Sequence, residues 1–111
     1  MNRSDARHIH LHRAAFQKLR EHPERMAQVR ETLDRWQAEN VAPAAAPYLE
    51  QWREMLTAWP FDLMEETVLD PERGQALRQA SPLAGSLKPQ ERWEALRRFA
   101  AAFDRSTPER P

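Results

Sequence analysis

The chain has 111 residues, no cysteine, and seventeen basic residues balanced by seventeen acidic ones. That length suits one domain with a single modest core. Zero net charge removes bulk attraction to nucleic acid or anionic membrane, and the missing thiols exclude disulfides, thiolate catalysis and thiolate zinc sites.

The balance conceals segregation. Residues 1–25 hold six basic against three acidic residues, residues 47–72 hold Arg53 against seven acids, and residues 73–111 hold eight basic against four acidic. The chain therefore reads basic, acidic, basic. No apolar run approaches the roughly 20 residues of a membrane span, and the first residues lead into charge rather than a signal-peptide apolar stretch. A cytoplasmic location is expected, since reducing compartments suit a chain without cysteine.

In chain order, Ile9, Phe16 and Leu19 form one helical stripe with His12 on it. Met26, Val29, Leu33 and Trp36 step by three, four and three along a second helix. The segment Asn40–Pro47 reads as a bend, too short and apolar for a linker. Tyr48, Trp52, Met55, Leu56 and Trp59 mark a third helix, and Phe61, Met64 and Val68 a short fourth. Residues 71–80 form a weak fifth held by Leu77, and Trp93, Leu96, Ala100 and Phe103 stripe the last.

Prolines are the punctuation. His22-Pro23-Glu24, Asp70-Pro71-Glu72 and Lys88-Pro89-Gln90-Glu91 each set a proline where a helix begins, because the first turn needs no N–H there. Valine plus isoleucine total four, so little is available for a sheet. The expectation is one all-α domain over residues 1–103, a small irregular bundle of five to six helices, with a flexible tail at 104–111. Its expected centre is Phe16, Leu19, Met26, Val29, Leu33, Trp36, Trp52, Leu56, Leu96 and Phe99.

Ser81-Pro82-Leu83-Ala84-Gly85-Ser86-Leu87-Lys88 breaks the helical pattern with an apolar loop. Leucines flanking a glycine in a loop dock somewhere, on the protein's own core or on a partner. The interaction candidates here are Ser81, Pro82, Leu83, Gly85 and Leu87, with Arg92 and Trp93 beyond them. His8, His10 and His12 are the one cluster with metal-ligand chemistry, and only His8 and His12 share a helical face. The glutamate that a helical zinc signature wants is replaced by Ile9. They are weak metal candidates, and no cofactor is expected.

Glu65 and Glu66, with Asp62 and Asp70, could serve acid–base work, but their spacing suits the polar side of one helix and no nucleophile accompanies them. Neither Ser81 nor Ser86 has the glycine surround of a nucleophile elbow. No enzyme is expected. Arg92, Arg97 and Arg98 alternate with Trp93 and Phe99, yet Trp93 belongs on the buried stripe and Arg98 can pair with Glu94 outside, so direct nucleic-acid binding is not expected.

One series of short patterns remains: Leu11-His12-Arg13-Ala14 with Lys18-Leu19-Arg20, then Leu33-Asp34-Arg35-Trp36, Tyr48-Leu49-Glu50-Gln51-Trp52 and Leu69-Asp70-Pro71-Glu72-Arg73-Gly74. It continues through Leu77-Arg78-Gln79-Ala80-Ser81-Pro82-Leu83-Ala84-Gly85 to Glu91-Arg92-Trp93. Together these resemble a small helical module of bacterial antitoxin-like proteins, found alone or behind an Xre-type helix-turn-helix domain. The resemblance implies a protein-binding role in a toxin–antitoxin system, toward a partner that an adjacent gene encodes. It transfers no catalytic residues. The positions it matches are Ser81, Pro82, Gly85, Glu91, Arg92 and Trp93. A small DNA-binding or metal-binding regulatory protein is the alternative, and self-association is left open. The acidic segment, with Glu65 and Glu66, supplies a separate rationale, since it can complement the basic groove of a nucleic-acid-acting toxin.

Overall fold

The computed structural model describes residues 2–40 and 43–106, which form a small all-α bundle of six helices with no strand among the described residues. The helices are α1 (Arg3–Glu21), α2 (Met26–Glu39), α3 (Ala46–Ala58), α4 (Phe61–Leu69), α5 (Gln75–Gln79) and α6 (Pro89–Ser106). Among the described residues no helix is long and apolar enough to cross a membrane.

Helix α1 begins where the Asn2 side chain accepts the Asp5 N–H at 2.8 Å, and it carries Asp5 at its positive end and Lys18 and Arg20 at its negative end. Its buried stripe of Ile9, Leu11, His12, Ala15, Phe16 and Leu19 packs on α4, α5 and α6. Helix α2 ends at Asn40, whose left-handed φ of 46° closes the last turn. Its Val29 and Leu33 then face α3 and the short 3₁₀ turn Pro82–Gly85.

The prolines act as expected at Pro89, which opens α6. Pro23 and Pro71 begin something shorter. Pro23 opens a 3₁₀ turn with no side-chain cap from His22, and α2 starts only at Met26. After Asp70-Pro71 the chain makes one capped turn, with Asp70 Oδ2 accepting the N–H groups of Glu72 at 3.0 Å and Arg73 at 2.7 Å. The helix expected over residues 71–80 thus contracts to Gln75–Gln79. Helix α6 runs on to Ser106, past the expected end of the domain at 103, while the rest of the tail lies outside the described residues, as do positions 41 and 42 of the bend.

Trp52 stands at the centre, wholly buried, its indole N–H donating 2.9 Å to the Leu77 carbonyl. Ala15, Phe16, Leu19, Val29, Leu33, Leu49, Met55, Leu56, Met64, Val68, Leu77 and Leu83 complete the cluster, and Phe61 meets Phe16 edge-on at 5.6 Å. Two corrections follow for the expected core. Met26 and Trp36 pack against its edge, half-buried, and Leu96 and Phe99 sit outside it. Phe99 is buried instead on the flank where α6 meets α1, its ring 5.6 Å from His10 and 5.3 Å from Phe103.

Candidate functional site

The apolar loop is a capped turn folded onto the protein itself. Ser81 Oγ accepts the Leu83 N–H at 3.1 Å, Pro82 occupies the first position, and the Ser86 hydroxyl donates 2.7 Å to the Leu83 carbonyl. Leu83 is 1 % exposed and belongs to the central cluster; Leu87 packs half-buried against it. Gly85 is exposed, with an ordinary φ.

The turn is pinned by an ion pair that crosses 66 residues of sequence. Arg25 forks onto Glu91, donating 2.8 Å to Oε1 and 3.1 Å to Oε2, and also reaches the Ser86 carbonyl at 3.1 Å. Glu91 in turn accepts the Lys88 N–H at 2.8 Å, which caps the start of α6. The Arg25 fork, helped by the Lys88 N–H, holds the Glu91 carboxyl down to a pKa of about 2.

Beyond Glu91, Arg92 and Trp93 face solvent. Trp93 was expected on the buried stripe, yet it is 57 % exposed. Helix α6 buries Ala95 and Phe99, and Trp93 lies roughly 160° around the axis from Ala95. Its ring stacks under the Arg97 guanidinium at 4.7 Å.

The acidic candidates separate. Glu65 and Asp62 both bind Arg20 at 2.6 Å, and Arg20 lies 4.5 Å over the Phe61 ring. Glu66 is exposed and bonded to no described side chain. Part of the negative charge of residues 47–72 is therefore neutralised within the fold by Arg20, whereas Arg53, the one base of that segment, pairs with Asp34 of α2.

Two sets of residues that look unrelated in the sequence meet at one cavity of about 290 Å³. His8 and His12 enter it from α1, Ser81, Leu83 and Leu87 from the turn, and Arg92 from α6. Arg7, Leu11, Ala15, Trp36, Arg78 and Gln79 complete the wall, and sequence reasoning missed all six as site residues. His12 is 9 % exposed; its Nδ1 lies 2.8 Å from the His8 carbonyl, and Nε2 has no hydrogen-bond partner among the described residues. Burial is the largest cause that lowers the His12 pKa to about 4, so the ring is neutral at ordinary pH. Among the described residues no three His, Cys, Asp or Glu side chains gather as a metal site.

Arg78 is buried, and its charge is held by carbonyls: Nη1 donates to Val68 at 2.7 Å and Asp70 at 2.8 Å, Nη2 to Pro71 at 3.2 Å. It thereby caps the carbonyl end of α4, where a cation is favoured. Comparison with protein-family models, with curated proteins and with solved structures finds no match.

Proposed function

We propose that this chain is a protein-binding module of the antitoxin-like kind, acting in the cytoplasm without catalysis, that holds a partner protein encoded nearby and neutralises or regulates it. The observation that supports this reading is Trp93. Large aromatic side chains in water are a liability to a small protein unless something covers them, and tryptophan with arginine dominates the energy of protein interfaces. Trp93 stands outward on α6, next to Arg92 and stacked with Arg97, while α6 packs chiefly on α1.

On this reading the anchor lies on the basic C-terminal helix rather than on the acidic segment, where Arg20 already engages Asp62 and Glu65. Glu66 is exposed and leaves its charge available to a partner. The test is recovery of the tagged chain from its native host, followed by mass spectrometry of what elutes with it. The product of an adjacent gene is expected. Trp93→Ala should then weaken the complex by about thirtyfold or more and leave the melting temperature unchanged. A chain that elutes alone, or a Trp93→Ala chain that binds as the parent does, would sink the proposal.

A further inference from the structure

The cavity under the Pro82–Gly85 turn carries an inference independent of the protein-partner reading. Its chemistry is one-sided. Arg7, Arg78 and Arg92 line it, and no acidic side chain among the described residues does. Arg78 is already engaged by three backbone carbonyls, but the guanidinium groups of Arg7 and Arg92 are exposed and have no partner among the described residues. Such a pair of free, fork-shaped donors beside an apolar wall is matched by a carboxylate.

The remaining wall specifies the rest of a ligand. Trp36 offers a half-buried aromatic face, and Leu11, Leu83 and Leu87 are apolar. The volume, about 290 Å³, is close to the lower limit for small-molecule sites and holds about ten non-hydrogen atoms. At the buried end His12 presents a defined acceptor. Because Nδ1 sits 2.8 Å from a carbonyl, which can only accept, the ring proton is on Nδ1 and the Nε2 lone pair is unmatched. A buried acceptor without a donor is a cost that a ligand hydroxyl removes.

We propose that this cavity binds a small aromatic carboxylate bearing a hydroxyl group, with Arg7 and Arg92 on the carboxylate, Trp36 and the leucines against the ring, and His12 Nε2 accepting from the hydroxyl. Four elements distant in sequence, α1, α2, the turn and α6, supply these groups, and the Arg25–Glu91 pair holds two of them, the turn and the start of α6, in register. The occupant is a free small molecule, since a site of this volume encloses one ring and little more.

The test titrates the full-length chain with para-hydroxybenzoate, benzoate and para-hydroxybenzamide by calorimetry, while nitrogen NMR follows the His12 imidazole. Para-hydroxybenzoate is expected to bind tightest and to move the Nε2 resonance. Benzoate should bind at least about tenfold more weakly without moving it, and the amide should lose at least about tenfold together with the salt dependence. Arg7→Gln with Arg92→Gln, both on exposed residues that the fold does not use, should bring the carboxylate down to the amide. Equal affinity for all three probes, or no binding at about 10 mM, overturns the proposal. A short peptide ending in tyrosine that binds more tightly than para-hydroxybenzoate overturns the assignment to a free small molecule.

Discussion

Two turns of this molecule begin with the same chemistry and are held by different physics. Asp70-Pro71 and Ser81-Pro82 each pair a capping side chain with a proline, and each turn contains one of the chain's two glycines. At Gly74 the backbone closes on Arg78, so that an added methyl group would overlap the Val68 carbonyl oxygen and press on Nη1 of Arg78. At Gly85 a methyl group would meet nothing. The first turn is fixed by close backbone approach around a buried guanidinium. The second is fixed by burying Leu83 and by the Arg25–Glu91 fork, leaving its glycine unused.

The sharpest way to break this comparison is Gly74→Ala. The clash is with backbone, which cannot rotate away, and relieving it displaces the guanidinium that holds the carbonyls of Val68, Asp70 and Pro71. A loss of about 3 kcal/mol or more is expected in urea unfolding, through overpacking together with broken buried hydrogen bonds. A loss below about 1 kcal/mol would mean the two turns are equivalent.

Smaller, and specific to the second turn, is the effect of Glu91→Gln. The forked, charge-assisted bonds to Arg25 are worth about 2 kcal/mol at neutral pH. The folded chain holds the Glu91 carboxyl at a pKa of about 2 against an ordinary 4.5. Its contribution is therefore complete above 4.5 and is lost as the pH falls toward 2. His12 acts earlier. Its folded pKa of about 4, against 6.5, means the unfolded chain takes up that proton first, so stability declines between 6.5 and 4. Acid unfolding of the parent should show both windows, and Glu91→Gln should flatten the lower one alone. A Glu91→Gln chain that loses stability with acid as the parent does, over both windows, would place the pinning of this turn elsewhere.

The comparison also locates what the sequence could reveal. Apolar stripes and prolines are local signals, so the existence of the helices, the stripe of Ile9, His12, Phe16 and Leu19, and the docking of a leucine in the loop were all legible. Trp93 was misread because a stripe defines a face but not which arc of it a neighbour covers. Its distance from Ala95 around α6 becomes decisive only once α1 is in place. Arg78 carried a faint signal, an arginine four residues after a glycine, where one helical turn can bring the two together. Nothing local announces that it caps α4 from the inside. The cavity was illegible for a stronger reason: its walls come from α1, α2, α5, the turn and α6, and only tertiary packing brings His12 against Leu83 and Arg92.

The smallest expected effect is the most discriminating. Gly85→Ala adds a methyl group in open space at a residue whose φ is not positive, within a 3₁₀ turn that alanine adopts without strain. Its main consequence lies in the unfolded chain, which loses conformational freedom, so a gain of about 0.5 kcal/mol and a rise of about 3 °C in melting temperature are expected. The same substitution thus stabilises one turn and breaks the other. If Gly85→Ala instead destabilised the protein, the turn would depend on a backbone conformation that alanine resists, and its stability could not rest on Leu83 and the Arg25–Glu91 pair. If it left stability raised but weakened association with a partner, Gly85 would lie under that partner, and the interface anchored at Trp93 would extend back across the turn.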